Sequence, residues 1–583
     1  MSEKRNCQAC KQPFTIEPED FAFYEKMQVP PPTWCPECRM RRRMVFMNER
    51  ALYQAKCDLC NQPMISMFAP GAHPKVYCCK CWWSEKWDPM SYGREYDFSK
   101  PFFQQFKEMY EEMPELAGAV THVNNQNSDY INLSNFMKNC YLVFQSDFCE
   151  DCQYSSYLEK GKNCMDVLAG NSCELCYDCT GVGTGCYRCF YSYNLRACTD
   201  TWFSSDLTDC ADCFGCVGLR HKKFHFFNEA LTKEEYERRL KEIDLGSAQV
   251  IAVMIKQAKA LALTFPRRFA IGANNQNSTG DALFNCKNFI KGYQSLNVED
   301  SKYCQFLYYQ PAKDSYDVTM WGGHELTYEC VGVADNMSRM KFCSCSGYNS
   351  SNQEYVWYSL LGAHEMFGCI ALSKKRYCIL NKQYSKEEFE ALVPKIKRQM
   401  NDMPYRDTLG REYRYGEFFP PELSPFAYNE TIAALYMPLS KSEALEQGFK
   451  WREPETKNYQ TTIKASELPD NIKEVTDGIL KEVIECAHAG KCNQLCSTAY
   501  KINPAELKFY RDLNLPLPRL CHNCRHFERL ALRCPIQLWP RACMCERPDH
   551  GHAGRCSARF ETAFAPDRPE IVYCEKCYEE AVG

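Results

Sequence analysis

The sequence predicts a multidomain, mainly β protein. Duplicated zinc-ribbon or treble-clef-like modules at both termini flank two short cysteine-rich β-solenoid repeats, each followed by a helix. Three observations predict this. Cys-x2-Cys pairs occur near both ends, the two ends repeat one another at a fixed offset, and cysteines in the middle recur at a step of twelve residues. The layout in order is a zinc module with two sites (1–95), a linking helix (96–118), a first solenoid repeat (119–228), a helix (229–265) and a second solenoid repeat (266–381). A helix (382–400), a connector with a C-terminal helix (401–485) and a second zinc module with two sites (486–583) complete it.

Composition sets the chemistry of the cysteines. The chain has 583 residues, enough for roughly three to five domains. Apolar residues make up 45% and charged residues 25%, with a net charge of -4, so the whole chain is not a polycation for nucleic acid. The 40 cysteines are the outlier. The first residues, MSEKRNCQAC, contain no apolar h-region, and the most apolar stretch, Ile251 to Phe265, is broken by Lys256 and Lys259. The expectation is a cytoplasmic, reducing setting, where cysteines serve as metal ligands, small buried residues or catalytic thiols.

The outer duplication defines the zinc modules. Cys10, Phe14, Ile16, Phe23, Tyr24, Pro30, Cys35, Cys38 and Arg39 correspond to Cys496, Tyr500, Ile502, Phe509, Tyr510, Pro516, Cys521, Cys524 and Arg525, each 486 positions on. Ser66 to Pro70 and Val76-Tyr77-Cys78 with Cys81 correspond to Thr562 to Pro566 and Val572-Tyr573-Cys574 with Cys577 at an offset of 496. A ten-residue insertion therefore lies between Cys543 and Cys556. Two Cys-x2-Cys turns present four thiolates to one ion at about 2.3 Å per Zn–S bond. The expected ligand sets are Cys7, Cys10, Cys35 and Cys38; Cys57, Cys60, Cys78 and Cys81; and Cys492, Cys496, Cys521 and Cys524. For the third set Cys486 and His488 are substitutes. The fourth set is Cys556, Cys574 and Cys577 with Cys545, its alternatives being Cys543, His550 and His552. About four structural zinc ions follow, because an all-thiolate tetrahedron keeps no open position. Disulfides, a redox switch and iron–sulfur ligation are the competing uses of these thiols. Cys79 is a spare beside Cys78, expected to pack.

The inner duplication defines the middle. Asn124-Asn125-Gln126-Asn127-Ser128 recurs as Asn274 to Ser278, and Leu219 to Asn228 recurs as Leu372 to Asn381. Thr232 to Glu235 and Ser385 to Glu388 both read as capping boxes opening helices. Cysteines recur at 140, 152, 164, 176, 186, 198 and 210, twelve apart with one step of ten. A short fixed period suggests solenoid coils of twelve residues, or of twenty-four with two cysteine columns, each cysteine pointing into the lumen. The second repeat keeps only Cys286, Cys304, Cys330, Cys343, Cys345, Cys369 and Cys378. Such piecemeal loss favours packing over metal ligation. The helices would cover open sheet edges.

Further segments follow the same logic. Ser99 is placed to cap a helix with an apolar face of Phe102, Phe103, Phe106, Met109, Tyr110 and Met113. Residues 401–470, which contain Pro404, Pro420, Pro421, Pro425 and Pro438, read as an extended connector with docked aromatics. Asn471 to Glu485 reads as a helix.

The segments Cys35-Pro36-Glu37-Cys38-Arg39, Val76-Tyr77-Cys78, Trp82-Trp83, Trp87-Asp88-Pro89, Lys138-Asn139-Cys140-Tyr141 and Glu570 to Cys574 carry a resemblance. The chain resembles, over nearly its whole length, a family of zinc-ribbon, cysteine-rich repeat proteins found widely in candidate-phyla-radiation bacteria. The resemblance implies this architecture and brings no established activity. Some members carry the label CaiB/BaiF CoA-transferase, which no residue here supports.

For function, the sequence favours a non-catalytic zinc-stapled scaffold whose preferred partner is a nucleic acid or ribonucleoprotein. Arg39, Arg41, Arg42 and Arg43 follow one knuckle, and Arg525 and Arg529 follow its counterpart, suiting a phosphate backbone. The competing reading of these arginines is pairing with acidic neighbours. A protein-interaction scaffold or assembly subunit is the alternative. A carbohydrate-active enzyme is the second alternative, drawing on Asp314, Asp317, His324-Glu325 and His364-Glu365. HExxH, GxSxG and phosphate-loop motifs are absent from the sequence.

Overall fold

The computed structural model describes residues 2–118, 125–171, 173–453 and 459–582. Asn124 and the expected start of the first repeat at residue 119 lie outside the described residues. Two stacks of short parallel strands dominate the chain. One runs from Ile131–Asn132 to Lys223–Phe226 and the other from Gly272–Ala273 to Arg376–Ile379.

Each stack is a β-solenoid built from residue triplets. In the first, Leu133, Phe136, Asn139, Leu142, Gln145, Phe148, Asp151, Tyr154 and Tyr157 all have positive φ, one residue in three. Each turns a corner, and the residue after it points inward: Ser134, Met137, Cys140, Val143, Ser146, Cys149, Cys152, Ser155 and Leu158 are all buried. Four triplets close one coil. The pairings Met165↔Tyr177, Thr199↔Ala211 and Ala211↔Lys223 fix it at twelve residues and exclude twenty-four. In the second solenoid the step varies, twelve at Gly280↔Gly292, fourteen at Val298↔Ala312 and thirteen at Ser338↔Ser351. That variation hides its period from the sequence.

The narrow lumen explains the cysteines. A triplet coil has a narrow lumen in which small side chains are favoured and a larger one such as Met137 or Leu158 needs small neighbours, and it turns backbone N–H groups inward that need acceptors. Serine supplies one to the coil above: Cys140 N–H donates to Ser128 Oγ at 3.0 Å, Leu158 to Ser146 at 3.0 Å and Cys216 to Ser204 at 3.0 Å. Cysteine does the same, as Cys343 N–H donates to Cys330 Sγ at 3.3 Å. Thiols also donate to the carbonyl two residues back, Cys152 to Glu150 O and Cys210 to Thr208 O, both at 3.3 Å. The series from Cys140 to Cys210 is not one column. An extra residue near Gly183–Gly185 makes Tyr177 pair with Phe190 and Glu174 with Tyr187. The column of Cys176 therefore continues at Cys189, and Cys186 follows Cys173. The step of ten residues marks that crossing.

Asparagine and aspartate hold the corners and ends. They tolerate the left-handed region and bond to their own kind in the next coil. Asn139 donates to Asp151 at 2.9 Å, and Asn288 to Asp300 at 2.8 Å. At the final coils Asn228 both accepts from and donates to the Val217 backbone, at 2.8 and 2.9 Å. Asn381 does the same for Ile370 at 2.8 and 2.9 Å. Antiparallel hairpins then close both stacks, and helices cover them: Tyr236 meets Phe224, and Phe389 meets Tyr377.

Several local expectations differ from the structure. Residues 229–265 hold two helices, Lys233–Lys241 and Ala248–Ala262, because Gly246 and the capping Ser247 interrupt them. Ser385 forms a complete capping box, whereas Thr232 only accepts from Glu235 N–H. The helix Phe102–Glu112 starts after Pro101, and Ser99 instead bonds Asp97. The 471–485 stretch forms 3-10 turns at Ile472–Glu474 and Asp477–Lys481, with Asn471 capping the first. The connector buries Tyr413, Phe418, Phe419, Phe426 and Tyr428. Phe419 meets Phe103, Phe106 and Trp357, tying it to the linking helix and the second solenoid.

The terminal modules dock crosswise. In the first, Phe23 stacks on Tyr316 at 3.8 Å between ring centroids, which places it on the second solenoid. Its counterpart Phe509, with Tyr510, meets Tyr177 of the first solenoid. The other half of each module reaches the opposite stack: Val76–Tyr77 pairs with Glu115–Leu116, and Val572–Tyr573 with Arg267–Arg268. Each pairing lies on the lead-in to a solenoid.

Candidate metal centres

Four cysteine clusters stand at equivalent places in the duplicated modules. Each begins with a two-stranded antiparallel hairpin: Glu3–Asn6 with Pro13–Ile16, Tyr53–Lys56 with Pro63–Ser66, Ile484–Glu485 with Ala499–Tyr500, and Trp539–Ala542 with Arg559–Thr562. The first cysteine follows the first strand directly. The third is the N-cap of a helix, Cys35, Cys78 or Cys521 in three of them, and the fourth lies in that helix's first turn. In the last, Cys574 immediately precedes the helix Glu575–Val582, which carries Cys577.

The gathered sets are Cys7, Cys10, Cys35 and Cys38; Cys57, Cys60, Cys78 and Cys81; Cys486, Cys496, Cys521 and Cys524; and Cys543, Cys556, Cys574 and Cys577. In each, the sulfur atoms lie within 4.8 Å of one another. Sulfur pairs stand at 3.8 Å for Cys10–Cys35 and 3.9 Å for Cys60–Cys78, Cys496–Cys521 and Cys556–Cys574. A tetrahedron of thiolates at about 2.3 Å from its ion has an edge of about 3.8 Å, so the donor sets fit a tetrahedral metal. A disulfide needs about 2.05 Å, and all cysteines are free.

Two expected ligands change. Cys486 takes the place of Cys492, and Cys543 that of Cys545. A repeated hydrogen bond shows the equivalence. The N–H of the third cysteine donates to the first sulfur in every cluster: Cys35 to Cys7 and Cys78 to Cys57 at 3.2 Å, Cys521 to Cys486 at 3.3 Å, and Cys574 to Cys543 at 3.2 Å. Such N–H groups favour the thiolate. Burial opposes ionisation of Cys57, but backbone donors from Cys78, Cys60 and Leu59 outweigh it and bring the thiol to about 7. Cys492 and Cys545 stay nearby, the latter 3.2 Å from His550 Nδ1. Cys79 stands outside its cluster, and burial pushes its thiol up to about 12.

The arginines meant for phosphate are mostly buried in the docking interfaces. Arg39 donates to Asp317 through Nε and Nη2 at 3.0 and 2.8 Å, and Arg43 reaches the other oxygen at 3.2 Å. Arg42 bridges Glu329 and Glu417. In the second module Arg525 bonds Asp166, and Arg529 spans Asp166 at 3.1 Å and Asp178 at 2.8 Å. Arg39 and Arg525 also cap the backbone five residues earlier, at Trp34 O and Leu520 O. Burial works against charge on Arg39, and Asp317 outweighs it, holding the guanidinium above its ordinary pKa. A planar guanidinium suits these paired contacts. Arg39, Arg42, Arg43, Arg525 and Arg529 are thus taken up by solenoid and connector carboxylates and present no phosphate surface. Arg41 alone of the six is half-exposed, bonded to Gln447 at 3.1 Å.

The residues considered for catalysis are dispersed. Asp317 belongs to the arginine interface and Asp314 pairs with Lys26. His324 turns into the lumen, 3.0 Å from Ser315 Oγ, and burial pushes it down to about 4. His364 bonds Ser351, and Glu365 bonds Asn352. A larger feature had no sequence signal. A cleft of about 1540 Å³ runs between the two solenoids and the C-terminal module, reached by Tyr157, Tyr193, Tyr309, Trp321, Arg529 and Leu532. No helix among the described residues is long and apolar enough to cross a membrane.

Compared with known proteins, the chain matches no protein-family model, and it matches no curated protein.

Proposed function

We propose that the chain is a zinc-stapled, non-catalytic binding scaffold whose cleft receives a segment of a protein partner. Four structural Zn²⁺ ions in zinc-ribbon or treble-clef-like modules would hold the two solenoids in register. All-thiolate, tightly hydrogen-bonded donor sets support zinc in a structural role. The free thiols suit a reducing, cytoplasmic setting.

The observation that carries the partner class is the lining of the cleft. Its charges nearly balance, nine carboxylates against eight arginine and lysine side chains, and four of the cations are paired directly, Arg529 with Asp178, Arg268 with Glu575, Arg568 with Glu570 and Arg267 with Asp206. Leu263, Tyr309 and Leu532 line it and are exposed. A phosphate chain calls for an excess of cations, whereas exposed aromatic and aliphatic groups beside balanced charges suit a polypeptide. A nucleic acid is therefore the weaker reading, resting on half-exposed Arg41 and on Arg196, Arg220 and Lys259 in a cleft without cationic excess. The test is capture from the native host with wild type and with Tyr309→Glu/Leu532→Glu. The proposal expects protein partners that survive nuclease treatment and are lost in the variant. Partners removed by nuclease, or kept by the variant, would overturn it.

A further inference from the structure

The second module differs from the first by insertions in both of its metal hairpins. Two residues separate Cys7 from Cys10, whereas nine separate Cys486 from Cys496. The longer loop introduces His488 and Cys492, which have no counterpart near Cys7. Neither belongs to the four-sulfur set, yet both turn toward it. Cys492 Sγ lies 3.6 Å from Cys524 Sγ, against 3.8 Å for Cys486 Sγ. His488, Cys492 and Cys524 form a group of their own with ligand atoms within 4.8 Å of one another. Nδ1 of His488 is buried without a hydrogen-bond partner, although a buried ring nitrogen ordinarily finds one.

We propose that the C-terminal module binds a second Zn²⁺ beside its Cys486–Cys496–Cys521–Cys524 ion, held by His488, Cys492 and a bridging Cys524 thiolate. This rests on the reading that the four-cysteine sets hold zinc. Sulfur and imidazole nitrogen are the donors zinc prefers, and a thiolate can serve two ions at once. Entry of the ion displaces the Cys492 proton to solvent, while Cys524 is already a thiolate on the first ion. Neutral His488 donates its lone pair. Three protein ligands leave one coordination position for water, so this ion is exchangeable where the four-thiolate ions are closed. Both inserted residues are half-buried on a surface loop, which gives an ion a route in. The other insertion points the same way. It sets His552 Nε2 3.5 Å from Cys577 Sγ, and Cys577 is the positional counterpart of Cys524.

The test is zinc stoichiometry of the full reduced chain by native mass spectrometry after equilibration with Zn²⁺. It is paired with release of zinc to a chromogenic chelator. Wild type is expected to carry at least five ions per chain, one of them released at least tenfold faster than the four-thiolate ions. His488→Ala/Cys492→Ser is expected to lose one ion, with its fast phase, and to retain the four-thiolate complement. Cys492→Ser alone, which keeps the loop's shape, should show the same loss. Four ions in wild type, or an unchanged count in the variants, would overturn the second site while leaving the structural zinc reading intact. A folded chain with no zinc would overturn both.

Discussion

Replacing Asp317 by Asn removes one negative charge from beneath two buried guanidinium groups. Arg39 and Arg43 are 1% and 0% exposed, so water cannot take over the lost charge. Stripping one partner from a buried ion pair costs about 3–5 kcal/mol, because the remaining charge stays desolvated. The chain has several packed units, so a single unfolding midpoint would not isolate this interface. Hydrogen exchange on the helix Pro36–Met44, whose residues make the contact, does isolate it. A loss of about 3–5 kcal/mol corresponds to exchange faster by roughly a hundredfold to several thousandfold. Asp314→Asn serves as the control. It breaks the Lys26 pair three residues away, whose side chains are 50% and 29% exposed, and an exposed pair contributes about 0–1 kcal/mol. Its effect on the same helix should stay below about tenfold. If both variants exchange alike, the docking interface does not rest on this ion cluster. Asp166→Asn should reproduce the result at His522–Leu532, where Arg525 and Arg529 take the equivalent places.

Other outcomes follow from the same geometry. Gly170→Ala should destabilise the first solenoid, because an added Cβ would meet Cys173 Sγ at 2.3 Å; faster exchange in Met165–Asn171 would register it. Overpacking of this kind costs about 1–3 kcal/mol. Asn381→Ala removes both bonds that close the last coil on Ile370 and should cost about 1–3 kcal/mol, seen as fraying of Arg376–Ile379 while the first solenoid is unchanged. His324 is held neutral, its pKa pushed from 6.5 to about 4 by burial. Its folded state binds fewer protons than the unfolded chain, so the neutral form's stability is complete above 6.5 and declines as pH falls toward 4. Replacing it with Gln should flatten that slope in equilibrium unfolding of the second solenoid.

The fold was legible where physics acts locally, and less so where it acts at a distance. Paired Cys-x2-Cys turns and the fixed offset between the ends located both modules. Cys57 advanced by 486 is Cys543, which the structure gathers with Cys556, Cys574 and Cys577, while Cys545, His550 and His552 in the inserted stretch offer the same donor types close by. Cys486 was harder, since seven inserted residues break the register that would align it with Cys7. In the solenoid, the spacing of Cys173, Cys176 and Cys179, and again of Cys210, Cys213 and Cys216, exposes the triplet beneath the twelve-residue coil. A single column of cysteines, spaced by twelve, does not show it. The arginine interfaces were not readable. Arg39 and Asp317 are 278 positions apart, and only the crosswise docking of modules brings them together. A run of arginines looks alike whether it faces phosphate or a buried carboxylate.

The central claim is that ions shared among four sulfurs tie the hairpins and helices of both modules together. Zinc-edge X-ray absorption on the full-length, freshly reduced protein tests it most directly. The account predicts bound zinc with a first shell dominated by sulfur at about 2.3 Å, and collapse of both modules when a strong chelator removes it. Folded protein without zinc, or a shell of oxygen and nitrogen, would contradict it.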